Sequence, residues 1–152
     1  MPYTPTEYLE SLHTAAIDAR NGYREALEEA AGHGLSGLFE TMATLHARNA
    51  MELNAELARR GVAAKEGGSL ITLVNKAIID IRSLFGGLNE SILPGLIDGE
   101  TRILAKYDAA LASQELTLSE RETVQRQHDR LNEELERMLR TKTIADQAQS
   151  DR

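Results

Sequence analysis

The stretch GVAAKEGGSLITLVNKAIIDIRSLFGGLNE, residues 61–90, decides how the rest of the chain must be arranged. It is punctuated by Gly61, Gly67-Gly68 and Gly86-Gly87. Between the glycine pairs, over about Ser69 to Phe85, apolar residues recur at helical spacing: Leu70, Ile71, Leu73, Val74, Ala77, Ile78, Ile81, Leu84 and Phe85. At about 100° per residue they span roughly 160°, wider than one packing contact uses. The segment predicts a helix inside a connection long enough to carry the chain back along a bundle.

A helical pair is predicted on each side of it. The first helix runs from about Pro5 to Ala31, with Thr4 and Glu7 as a capping box and Pro5 at the first helical position. Its stripe is Leu9, Leu12, Ala16, Tyr23, Leu27 and Ala30, and Gly32-His33-Gly34 turns it. The second runs from about Leu35 to Arg60 on Leu38, Phe39, Met42, Leu45, Leu53 and Leu57, and Gly61 caps it. After the long connection, a helix over about Ser91 to Ala112 tolerates Pro94 only in its first turn. Its stripe is Leu93, Leu96, Ile97, Ile103, Leu104, Tyr107 and Leu111. The last helix starts at the Thr117/Glu120 capping box and runs to about Arg140 on Val124, Leu131, Leu135, Met138 and Leu139. Residues 142–152 read as a frayed polar tail. Short turns make each pair antiparallel, and two hairpins joined by a long crossover are the ferritin-like arrangement. The expected fold is therefore all-α, a ferritin-like four-helix bundle over residues 4–141 with an extra helix in the crossover.

Composition narrows the function classes. The chain has 152 residues, enough for one core. Aromatics are 4% with no Trp, so core volume comes from aliphatic side chains, which favours packed helices. A net charge of −7 argues against a nucleic-acid surface. Zero Cys removes thiol catalysis and Cys-ligated zinc. No run approaches a membrane span and Met1 to Glu10 has no signal-peptide core, so a cytoplasmic protein with no membrane partner is expected. No phosphate loop or nucleophile elbow is present, and no catalytic or cofactor-binding residue is assigned.

Polar residues interrupt the apolar stripes near the middle of each bundle helix: Arg20, His46 with Asn49, Glu100, and His128. Glu100 is at the centre of its stripe, and no helix register exposes it without burying other polar groups. Burying such groups is costly unless they are paired or coordinated. A di-metal bundle site needs a Glu from each of two helices and a Glu-x-x-His from each of the other two. Ala43 and Gln125 stand three residues before His46 and His128, Arg20 stands where a carboxylate is wanted, and Asp18 points outward. A di-iron centre is thereby disfavoured. Two readings remain. In the favoured one Glu100 pairs with Arg20, while His46, His128, Asn49 and a tyrosine hydroxyl satisfy the remaining groups. In the other, His46, Glu100 and His128 hold a single Fe or Zn, against the opposing charge of Arg20.

Asp18, Gly22-Tyr23-Arg24 with Ala26, Phe39 followed by Glu52-Leu53, Gly67-Gly68-Ser69, and Gly99-Glu100 followed by Tyr107 occur in a characteristic order over about residues 8–140. In these the chain resembles the ferritin-like, YciF-related family of small four-helix-bundle proteins. Pro94-Gly95 and Leu135-Glu136 depart from that family's acidic helix start and late His-Asp pair. The resemblance implies a ferritin-like bundle, dimeric, with a stress-linked role and no established reaction. The broad apolar arc of residues 69–85 independently predicts a homodimer through Leu70, Ile71, Val74, Ile78 and Phe85. The expected function is a non-catalytic structural or interaction role without a cofactor. The alternative is a mononuclear metal protein or redox enzyme.

Overall fold

The computed structural model describes residues 3–29, 35–63 and 92–150. Among these it is all-helical, with α1 Pro5–Glu29, α2 Ser36–Arg59, α3 Leu93–Ala112 and α4 Leu118–Ser150. The Gly32–Gly34 turn and the helix expected over 69–85, with its dimer face, lie outside the described residues.

Local chemistry explains the observed ends. At α1 the Thr4 hydroxyl accepts from the Glu7 N–H at 3.2 Å and the Glu7 carboxylate reaches back to the Thr4 N–H at 3.4 Å. Thr117 and Glu120 repeat this reciprocal cap at α4, at 3.1 and 2.9 Å. α2 ends where Gly61 takes φ +76°, a left-handed value that costs a residue with a Cβ. α3 tolerates Pro94 because it is in the first turn, where its missing N–H breaks no helical bond.

α4 continues to Ser150, past Arg140 and through most of the segment expected to fray. Nothing in residues 141–150 stops a helix, since no Gly or Pro occurs there. A Lys142–Asp146 ion pair at 2.7 Å spans one turn of this extension. Ile144 on it is exposed, as is Leu139 just before it.

α1 packs against α2 and α3, and α4 packs against α3 and α2. The main core joins Leu9, Leu12, Tyr23, Phe39, Met42, Leu53, Leu57, Leu93, Leu96, Ile103, Tyr107, Val124 and Leu131. A second, smaller cluster of Ala16, Ile17 and Ala50 lies between α1 and α2. α1 is buried over more of its circumference than one stripe requires, and Asp18, expected to point outward, is buried too. Burial raises the Asp18 carboxyl above its ordinary value.

The α2–α4 contact is a polar seam. Glu52 receives Gln127 at 3.0 Å, Arg130 at 3.3 Å and Arg126 at 3.4 Å. Glu56 accepts from Arg59 at 2.8 Å, Ser119 at 2.9 Å and Thr123 at 3.1 Å. Arg60 grips Glu120 through both carboxylate oxygens. The Arg60 bond chiefly lowers the Glu120 carboxyl below its ordinary 4.5. At Glu52 burial acts upward, but the Gln127 bond and the arginines together outweigh it, so this carboxyl is lowered as well.

Both folded values therefore lie below those of the unfolded chain. The associated stability is present above about pH 4.5 and is lost as pH falls toward the folded values. Urea midpoints are expected to drop steeply from about pH 5 to about pH 3. Arg60→Ala is expected to cost about 1–2 kcal/mol at neutral pH and to flatten that slope. An unchanged slope in the variant would remove Glu120 from this account.

Candidate functional site

The middle of the bundle is organised around Glu100. Its helix presents Leu93, Leu96, Ile103 and Tyr107 to the core on the same face. Asp98 and Arg102 lie on the outer face, where they form an exposed pair at 3.3 Å. Turning Glu100 outward would bury those charges instead, so the helix pattern forces one carboxylate into the interior. Only 2% of Glu100 is exposed.

One oxygen of that carboxylate carries all of its bonds. Glu100 Oε1 accepts the Tyr23 hydroxyl at 2.9 Å. It also shares a 2.8 Å hydrogen bond with His46 Nε2, reached from α2 across the centre of the bundle. With its proton on Nε2, the imidazole is the donor in that bond. The Tyr23 ring stacks on the His46 ring, centroids 5.8 Å apart and 11° from parallel, and packs against Phe39 at 6.1 Å. Burial, then the nearby Glu100 charge and its bond, push the Tyr23 hydroxyl well above its usual value. Tyr23 therefore remains a proton donor.

A second set lies beside it. The Tyr107 hydroxyl is raised by burial first and then by the charges of Glu100 and Glu52. It donates to Gln127 Oε1 at 2.7 Å. Gln127 Nε2 passes the connection on, to the Asn49 carbonyl at 3.1 Å and to Glu52 at 3.0 Å. The Asn49 side chain is fully buried next to Tyr107, close enough to influence its hydroxyl but outside hydrogen-bonding geometry.

Of the five residues expected at the waist, His46, Asn49 and Glu100 are buried in this layer, whereas Arg20 and His128 are not. Arg20 is half-buried and donates from Nε to its neighbour Asn21 at 3.1 Å, so it makes no pair with Glu100. Ala19, fully buried, takes the inward place. The long Arg20 side chain keeps its guanidinium near water, avoiding the cost of burying five donors.

His128 is at the edge, its side chain 21% exposed, between Asp108 at 3.0 Å and Asp129 at 3.0 Å. The buried arc of α4 runs through Glu120, Val124, Gln127, Leu131 and Met138. At about 100° per residue that arc is centred toward Gln127, leaving both His128 and the exposed Leu139 on its margin. Periodicity does not single out Gln127, because residues three and four positions after Val124 flank a helical stripe almost equally.

The donor set does not fit the di-metal centre of the ferritin-like fold. One carboxylate and one imidazole meet at the waist, and they bond to each other. The neighbouring carboxylates Glu52, Glu56 and Glu120 are held by arginines. The mononuclear set His46, Glu100 and His128 is not assembled either, because His128 faces Asp108 instead. Among the described residues no three His, Cys, Asp or Glu side chains gather in a metal-holding arrangement. Nor, among those residues, is any helix long and apolar enough to cross a membrane.

The family model described as "Domain of unknown function (DUF2383)" matches residues 4–113, more than half of the chain. That span includes α1, α2 and α3, hence Tyr23, His46, Asn49, Glu100 and Tyr107. No curated protein and no solved structure matches the chain.

Proposed function

From its place in the DUF2383 family, to which the chain belongs, and from the chemistry of its waist, we propose a ferritin-like bundle with a non-catalytic structural or interaction role. Hydrogen bonds close its centre where relatives of the fold hold two metals. One observation carries the reading: the buried Glu100 oxygen is taken by Tyr23 and His46, leaving no ligand set around it.

The order of the cross-helix bonds supports the ferritin-like topology. Glu52, Glu56 and Arg60 ascend α2 while their partners Gln127, Thr123 and Glu120 descend α4. Tyr107 and Leu111 on α3 meet Gln127 and Arg121 on α4 in the same opposed sense. Ser11 and Tyr23 on α1 meet Lys106 and Glu100 on α3 likewise. These directions support an antiparallel α1–α2 pair and a parallel α2–α3 pair. Parallel consecutive helices require a long crossover between them.

The stress-linked role follows from the resemblance to the YciF-related family, and the cysteine-free sequence is compatible with the cytoplasmic setting proposed with it. The homodimer follows from the apolar arc of residues 69–85 and is checked by sedimentation, where a monomer at micromolar concentration would remove it.

Elemental analysis of natively purified protein tests the main reading. Far less than one Fe, Zn, Mn, Ni or Cu per chain is expected, unchanged after anaerobic addition of Fe(II) or Zn(II). About one metal per chain, lost in Glu100→Gln, would establish a mononuclear site and overturn it.

A further inference from the structure

Among the described residues, three buried side-chain atoms have no hydrogen-bond partner: Glu100 Oε2, Asn49 Oδ1 and Asn49 Nδ2. All belong to the waist. His46 and Asn49 are one turn apart on the buried face of α2, and His46 touches the other oxygen of Glu100. Asn49 also gives its backbone carbonyl to Gln127, which holds the Tyr107 hydroxyl. The Glu100 charge and the Asn49 side chain both act on the Tyr107 hydroxyl, so the three atoms belong to one layer rather than being scattered through the core.

Leaving an amide and a carboxylate oxygen without partners in the interior is expensive. A direct bond from the Asn49 amide N–H to Glu100 Oε2 would remove two of the three orphans, yet it does not form. What fits these atoms is a small species that donates to two acceptors and accepts from one donor. A metal ion has too few ligands here, since the other Glu100 oxygen is occupied by Tyr23 and His46. An anion would be repelled by the carboxylate. Water has the required two donors and two acceptors, and buried waters typically make about three bonds to otherwise unpaired polar groups.

We propose that ordered internal water binds between Glu100 Oε2 and the Asn49 amide, against the Tyr107 hydroxyl. This water joins the Glu100–His46–Tyr23 set to the Tyr107–Gln127–Glu52 set, so that one hydrogen-bonded network runs from the buried carboxylate to the half-exposed Glu52. The inference rests on the hydrogen-bonded reading of the waist.

A high-resolution crystal structure of the full chain tests it. Density for water about 2.7–3.2 Å from Glu100 Oε2 and from the Asn49 amide is the expected result. A direct protein–protein bond at these atoms, with no water there, would overturn this inference alone. A peak at metal–ligand distance, about 2.0–2.2 Å, would overturn both it and the reading beneath it. Asn49→Leu gives the solution counterpart. Removing a hydrated amide is expected to lower Tm by about 3–6 °C, whereas an equal or higher Tm would mean that the amide is dry and would contradict the proposal.

Discussion

Glu100→Ala is expected to destabilise the protein by about 3–5 kcal/mol, read from urea unfolding at neutral pH. Two effects add. The substitution strands the Tyr23 hydroxyl and the His46 N–H in a site closed to bulk solvent. It also opens a cavity in the middle of α3, where packing cannot collapse freely. The loss does not depend on an orphaned arginine, because Arg20 is directed elsewhere. Glu100→Gln keeps the shape and one acceptor oxygen, so it should cost about 1–2 kcal/mol, the difference between a charged and a neutral acceptor. A loss below 1 kcal/mol for the alanine variant would mean that the carboxylate is solvated.

Tyr23 is expected to be the other large contributor, and two substitutions divide its effect. Tyr23→Phe removes only the hydroxyl, leaves Glu100 with His46, and should cost about 1–2 kcal/mol. Tyr23→Ala also removes the ring that stacks on His46 and packs on Phe39, in a fully buried place. The total should reach about 3–5 kcal/mol. If the two variants unfolded at the same denaturant concentration, the ring would be contributing nothing and the packing account of this layer would fail.

The helices were legible because their signals are local. Both capping boxes form as their Thr-x-x-Glu spacing predicts, and Gly61 ends α2 with the positive φ expected of a helix stop. Glu100 was legible for a different reason: it is at the centre of its apolar arc, so no modest rotation of α3 brings it to the surface. His46 and Asn49 share that advantage on α2.

Arg20 and His128 did not. Each stands next to another residue equally able to face inward, Ala19 in one case and Gln127 in the other. A rotation of a few tens of degrees about the helix axis exchanges the two, and that rotation is set by the neighbouring helices, which periodicity does not encode. The choice then follows solvation. Ala19 buries no polar atom, and Gln127 finds three partners in Tyr107, Asn49 and Glu52. The tyrosines were visible as core residues, but only the fold brings Tyr23 to the carboxylate of a helix 77 positions away. The length of α4 is not legible in the sequence because a polar terminal segment resembles a frayed one, although an exposed helix needs no apolar stripe and nothing in residues 141–150 breaks one.

The claim that Glu100 is held by protein hydrogen bonds is tested most directly by a double-mutant cycle between Tyr23→Phe and Glu100→Leu. Glu100→Leu alone strands the tyrosine hydroxyl, whereas the double variant leaves none to strand. The double variant should therefore be more stable than the sum of the single losses implies, by about 1–3 kcal/mol. Additivity within about 0.5 kcal/mol would show that the two side chains do not interact, and would contradict the account of a waist closed on Glu100.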